Sequence, residues 1–134
     1  MEFDFKKPLI ILAICIGLTA YVRRHYSWLD VLAYTKNNPS PTYSPMVDYY
    51  VGTAYFMKSD YAGAVKAYDQ LLADYATGYY GPRAFLRLGS AYEEMNNFQG
   101  AREAYEKYFE LFPEGKDKNL VQSKYDMIKF KGLP

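Results

Sequence analysis

Few residues in this chain have side chains suited to chemistry. Glu93 and Glu94 are adjacent carboxylates, but general acid–base catalysis needs two groups facing one reacting bond, and neighbours on a helix point to different sides. His25 is the single histidine and Cys15 the single cysteine. One histidine makes a His-based metal centre untenable, and one cysteine excludes a disulfide framework within the chain. Cys15 lies in an apolar run, where a thiol packs as a small hydrophobe and not as a thiolate. His25 follows Arg23-Arg24 and reads as an interfacial residue. There is no glycine-rich phosphate loop and no Ser/His/Asp set. The expectation is a non-enzyme with no catalytic residue, cofactor, metal or small-molecule substrate. Sixteen Lys+Arg against fifteen Asp+Glu leave a net charge of +1, which gives no field for steering nucleic acid.

What the chain has in excess is aromatic surface. It has 134 residues, of which 16 are Tyr, 8 Phe and 1 Trp, 19% in all. That composition excludes a disordered chain, because so much ring surface must be buried or bound.

The elements that place these rings begin with an apolar segment. From Pro8 to Val22 no residue is charged. At 1.5 Å per residue this run is about 22 Å long, short of the roughly 30 Å hydrocarbon core of a bilayer. Its flanks extend it. Phe3 and Phe5 stand on one side, and Tyr21, Tyr26 and Trp28 on the other. Lys6, Lys7, Arg23 and Arg24 reach the two surfaces with their charged heads. We expect a membrane-spanning helix from about Phe5 to Trp28. A cleaved signal would place bulky Leu18 in front of the cut and Glu2 and Asp4 in the basic leader. A lipoprotein signal at Cys15 would need a small residue where Ile14 stands. An uncleaved anchor fits better than either. Gly17 and Ala13 form a small-xxx-small pair for an approaching helix. Lys6 and Lys7 on one side, against Arg23, Arg24 and Lys36 on the other, lean by one residue toward a cytoplasmic C-terminal part.

Past the anchor, Tyr26 to Lys36 is helix-compatible and ends at Asn37-Asn38-Pro39-Ser40-Pro41-Thr42, a proline-broken linker. Beyond it the chain repeats itself. Gly52, Ala54, Tyr55, Gly63, Ala64, Ala67 and Tyr68 recur as Gly89, Ala91, Tyr92, Gly100, Ala101, Ala104 and Tyr105, always 37 residues on. A fixed period without gaps signals a repeat architecture. In each unit the apolar positions form a helical stripe: Tyr61, Ala64, Val65, Tyr68, Leu71, Leu72 and Tyr75, then Phe98, Ala101, Tyr105, Tyr108, Phe109 and Phe112. Shorter preceding helices present Val51 and Tyr55, and Phe85, Leu88 and Tyr92. Asp60 and Asn97 are placed to cap the second helix of each pair. Lys118 to Lys131, with Val121, Tyr125 and Ile128 on one face, supplies a C-terminal capping helix, and Ser27 to Tyr34 is a candidate cover for the first repeat.

This pattern resembles the tetratricopeptide repeat. The second unit carries Phe85, Leu88, Gly89, Tyr92, Phe98, Ala101, Tyr105 and Pro113, with Tyr108 where a small residue is usual. The first carries Val51, Gly52, Tyr55, Tyr61, Ala64 and Tyr68, but has Asp48 at an aromatic position and lacks the closing proline near Tyr75-Ala76. The expected fold is all-α, an N-terminal transmembrane helix followed by a short α-solenoid of two helix pairs plus a cap. The expected divisions are an anchor over 1–36, a linker over 37–44, repeats over 45–81 and 82–116, and a cap and tail over 117–134.

The resemblance implies that the first helices of the pairs line a partner-binding concave groove. By register this gives Met46, Tyr49, Thr53, Phe56 and Met57, followed by Arg83, Leu86, Ser90, Glu93 and Glu94. Arg83 and Arg87 look like half of the basic clamp some members use on a terminal carboxylate. The other half would need Lys or Asn near Tyr49 and Thr53, and neither is there. The implied function is a non-catalytic, membrane-anchored protein–protein interaction scaffold, an accessory or structural subunit of a larger membrane complex. The alternatives are a free-standing adaptor or targeting receptor, or an assembly chaperone. The spacing of 37 looks like repeats of bacterial envelope assembly factors, implying an inner-membrane protein with a periplasmic repeat domain, opposite to the weak charge count.

Overall fold

The computed structural model describes residues 6–134. Among them are seven α-helices and no strand: α1 Lys6–His25, α2 Trp28–Asn37, α3 Ser44–Met57, α4 Tyr61–Tyr75, α5 Gly81–Glu94, α6 Phe98–Leu111 and α7 Lys118–Ile128. The chain divides between Val31 and Leu32 into two compact units.

In the first unit, α1 has 20 residues, a length of about 30 Å that equals a bilayer's hydrocarbon thickness. None of its side chains is buried, and its mean hydropathy reaches 1.3 over 18 residues. Phe3 and Phe5 lie outside the described residues. The expected continuation to Trp28 is not observed, because α1 stops at His25. Ser27 and Asp30 explain the break: the Ser27 amide donates to Asp30 Oδ2 at 2.7 Å and the Asp30 amide to Ser27 Oγ at 3.3 Å. This reciprocal pairing starts a new helix at Trp28.

In the second unit each helix from α3 onward packs on the next, α3 on α4, α4 on α5, α5 on α6 and α6 on α7. The contact inside each pair rests on two reciprocal glycine–tyrosine seats. A methyl group on Gly52 or Gly89 would overlap the ring of Tyr68 or Tyr105, and one on Gly63 or Gly100 would press on Tyr55 or Tyr92. Each helix thus gives a gap and receives a ring, and the four seats recur at the same 37-residue offset. Tyr68, Tyr105 and Tyr108 are fully buried.

The turns repeat as well. Ser59 and Asn96 take left-handed backbone conformations with φ of 59° and 55°. The next amides, of Asp60 and Asn97, close the preceding helices on Tyr55 O and Tyr92 O, both at 2.9 Å. The Asp60 and Asn97 side chains then accept from the Gly63 and Gly100 amides, as capping residues do. The first helices of the pairs, expected to be shorter than the second, are shorter by one residue in the first pair and equal in the other: α3 and α5 have 14 residues, α4 has 15 and α6 has 14.

Both ends of the solenoid are sealed. At the C-terminal end Val121 and Ile128 of α7 enter a cluster with Phe85, Ala101, Tyr105 and Tyr108. Tyr108, unusual for its position, turns its hydroxyl to accept the Asp117 amide at 3.1 Å, tying α6 to the start of α7. Arg102 donates to Ile128 O and Lys131 O at the end of α7. At the other end Leu32 and Thr35 of α2 are buried, and a polar node holds them. Thr35 Oγ1 donates to Asp48 Oδ1 at 2.5 Å, while Gln70 Nε2 reaches Leu32 O at 2.8 Å and both Asp48 oxygens at 3.4 and 3.3 Å. Asp48, which departs from the repeat pattern, is therefore the residue that receives the N-terminal cover. Ser44, assigned to the linker by sequence, opens α3 and is buried.

Candidate functional site

The ten residues expected to line a partner groove lie on α3 and α5, and the structure sorts them. Met46, Met57, Arg83 and Glu94 are exposed, whereas Thr53, Phe56, Leu86, Ser90 and Glu93 are half-buried. Tyr49 is only 9% exposed and belongs to the core with Tyr68, Leu71 and Leu88. It is not a groove surface residue. Its ring is caught between Tyr68 at 6.0 Å and Tyr80 at 5.2 Å, centroid to centroid, and so joins α3, α4 and the start of α5.

The other nine lie along α3 and α5, on a face tied to the neighbouring helices by side-chain contacts. Thr53 and Ser90, 37 apart, sit where the buried tyrosines of the partner helices emerge. Thr53 Oγ1 lies 3.3 Å from the Tyr68 hydroxyl, and the Tyr105 hydroxyl donates to Glu93 Oε1. Burial first, and then the bond to Glu93, pushes the Tyr105 phenol well above its ordinary range. Glu93 also takes Lys124 of α7 at 3.5 Å, so the cap helix extends the face. Between repeats, the Arg87 guanidinium sits 5.5 Å over the Phe56 ring. Neither Arg83 nor Arg87 forms an ion pair among the described residues. Glu93 and Glu94 diverge: one is engaged by Tyr105 and Lys124, the other points to solvent.

At the edge of this face stands a ladder of tyrosines that the repeat register does not place in a core. Tyr50 meets Tyr49 edge-on at 5.5 Å and Tyr80 at 6.2 Å, and Tyr79 meets Tyr80 at 5.0 Å and 85°. Tyr50 and Tyr79 are 58% and 79% exposed. Edge-to-face rings of this kind form a rigid, amphipathic surface with little side-chain entropy to lose on binding. Tyr34, expected to shield a repeat end, is exposed instead. Of the interfacial residues proposed for the anchor, Lys6, Lys7, Tyr21, Arg23 and Arg24 lie on α1, Tyr26 lies in the break and Trp28 opens α2; all are exposed.

No cluster of His, Cys, Asp or Glu among the described residues is arranged to hold a metal ion. The face offers hydrogen-bonding, aromatic and charged groups suited to a polypeptide, with no activated nucleophile in it.

The tetratricopeptide-repeat family model matches the chain twice, over residues 47–77 and 83–115. These are the α3–α4 and α5–α6 pairs, and the chain therefore carries two tetratricopeptide repeats. This repeat is a fold used for protein–protein interaction, so the chain contains a protein-interaction module, preceded by an apolar helix of the kind found in membrane spans and signal sequences. No curated relative matches the sequence.

Proposed function

We propose that the protein is a non-catalytic scaffold subunit of a membrane complex, held in the bilayer by α1 and engaging other subunits through the α3–α5–α7 face. The observation that carries this reading is the pairing of two exposed surfaces in one short chain. One is a helix of bilayer length with every side chain exposed; the other is a rigid tyrosine edge beside the repeat face. An apolar helix of that length is stable in lipid, where its backbone is satisfied internally. The repeat face then acts on whatever protein stands beside it. Met46, Tyr50, Tyr79 and Arg83 are the exposed groups proposed to touch it, with Phe56–Arg87 and Glu93–Lys124 holding the surface in shape.

Mild solubilisation of the native membrane fraction followed by isolation of this chain tests the reading. Co-migration with one fixed set of subunits at constant stoichiometry is expected. A heterogeneous, salt-labile set would point to an adaptor or an assembly chaperone and remove the subunit reading. Protease added to spheroplasts assigns the face: cleavage of the repeats in unbroken spheroplasts places them outside the inner membrane.

A further inference from the structure

A second surface lies away from the α3–α5–α7 face. Between α4 and α6 runs an open groove of about 850 Å³ whose floor includes Leu72, Ala76, Phe85 and Leu88. Its rim is acidic, with Asp69 on α4 and Glu103, Glu106 and Glu110 on α6. Lys107 is the one basic residue of the lining, and Glu110 holds it at 3.0 Å. The field of the rim reaches the floor: after burial, the charges of Asp69 and Glu103 push up the phenol of Tyr92, which also lines the groove.

We propose that this groove docks a helical segment of a partner protein bearing lysine or arginine beside apolar side chains. The apolar floor calls for apolar side chains, and the carboxylates on both walls call for cations flanking them, as in helix-in-groove recognition. The same carboxylates repel phosphate, which excludes nucleic acid and anionic lipid as occupants. Complementarity of this kind weakens with salt, because rim charges are screened within about 10 Å at 0.1 M. The groove and the tyrosine edge share no residue, so the protein has two independent sides for partners.

The probe is a synthetic helix-forming peptide of leucine and lysine carrying a benzophenone. It is photo-cross-linked to the full-length protein in uncharged lipid nanodiscs, and the adducts are mapped by mass spectrometry. A leucine–glutamate peptide of the same pattern is the control. Adducts on Ala73, Ala76 and Leu111 are expected, falling at least tenfold in a Glu103→Lys, Glu110→Lys protein, which in turn gains adducts with the leucine–glutamate peptide. Both positions are exposed, and unchanged circular dichroism verifies the fold. The Glu103→Gln, Glu110→Gln protein gives the same fall without charge reversal. A Tyr50→Ala, Arg83→Ala protein keeps the adducts, which separates this groove from the proposed scaffold face. Adducts that ignore both groove variants, or that centre on α3 and α5, overturn the proposal. So does dimerisation of the chain that the same variants abolish, since a second copy then fills the groove.

Discussion

Asp48 and Tyr49 are neighbours that the sequence assigns to the wrong surroundings, for different reasons. Asp48 is a departure from the repeat pattern with no visible partner nearby, because Thr35 and Gln70 lie 13 and 22 residues away. Burial pushes its carboxyl above the ordinary 3.8, against the smaller opposing effect of the Thr35 and Gln70 bonds. In the interval between 3.8 and that raised value the folded chain holds more proton than the unfolded one. The stability this group contributes is therefore complete below pH 3.8 and is lost as pH rises through the folded-state value. Asp48→Asn keeps an acceptor for Thr35 and removes the titration. Urea midpoints from pH 3 to 7 should show the variant gaining on the wild type as pH rises; a constant difference would show that Asp48 is not desolvated. Tyr49 looks like a surface residue when α3 is read alone, since the rings that cover it include Tyr68 of α4 and Tyr80 at the start of the next repeat. Tyr49→Ala should cost about 3–5 kcal/mol, as for a large buried ring, whereas exposed Tyr79→Ala should change the unfolding free energy from urea titration by less than about 0.5 kcal/mol.

At the scale of elements, the helix pairs were legible because a 37-residue echo repeats each small and each aromatic residue together. The reciprocal seats give the reason: a gap without its ring, or a ring without its gap, would not close the pair. Gly52→Ala and Gly89→Ala should each cost about 1–3 kcal/mol through overlap with Tyr68 and Tyr105. If either protein unfolds at the wild-type denaturant midpoint, the seats are not tight. Ser59 stands in a left-handed conformation that favours glycine. Ser59→Gly should therefore stabilise by roughly 0.5–1 kcal/mol, and Asn96→Gly by less, because asparagine tolerates that region. The helix break at Tyr26-Ser27 was hidden because Arg23, Arg24, Tyr26 and Trp28 together read as one interfacial flank of the anchor helix. The Ser27-Asp30 spacing was its only local signal, with Asp in place of the more usual Glu. The near-equal lengths of the paired helices were missed because the first turns of α3 and α5 contain Pro45 and Gly81-Pro82, which carry no helical stripe.

For the whole molecule, the all-α solenoid and its C-terminal cap could be read from periodicity, while the N-terminal cover could be placed only as the segment Ser27 to Tyr34, because what holds it is a polar node of Thr35, Asp48 and Gln70 and not an apolar stripe. The groove between α4 and α6 was equally hidden: acidic residues on a helix look like ordinary solvated surface until the two helices stand side by side over an apolar floor. Four of the ten residues expected on the partner face are exposed, five are half-buried, and Tyr49 lies in the core beneath them. The central claim is that this chain is held in a membrane and gathers fixed partners through that face. The most direct test is quantitative mass spectrometry of the mildly solubilised membrane complex, comparing wild type with a Tyr50→Ala, Tyr79→Ala, Arg83→Glu protein. Retention of the variant in the membrane fraction with loss of the stoichiometric partner set is the expected result. An unchanged partner set, or a wild-type chain released from membranes by alkaline carbonate, would contradict it.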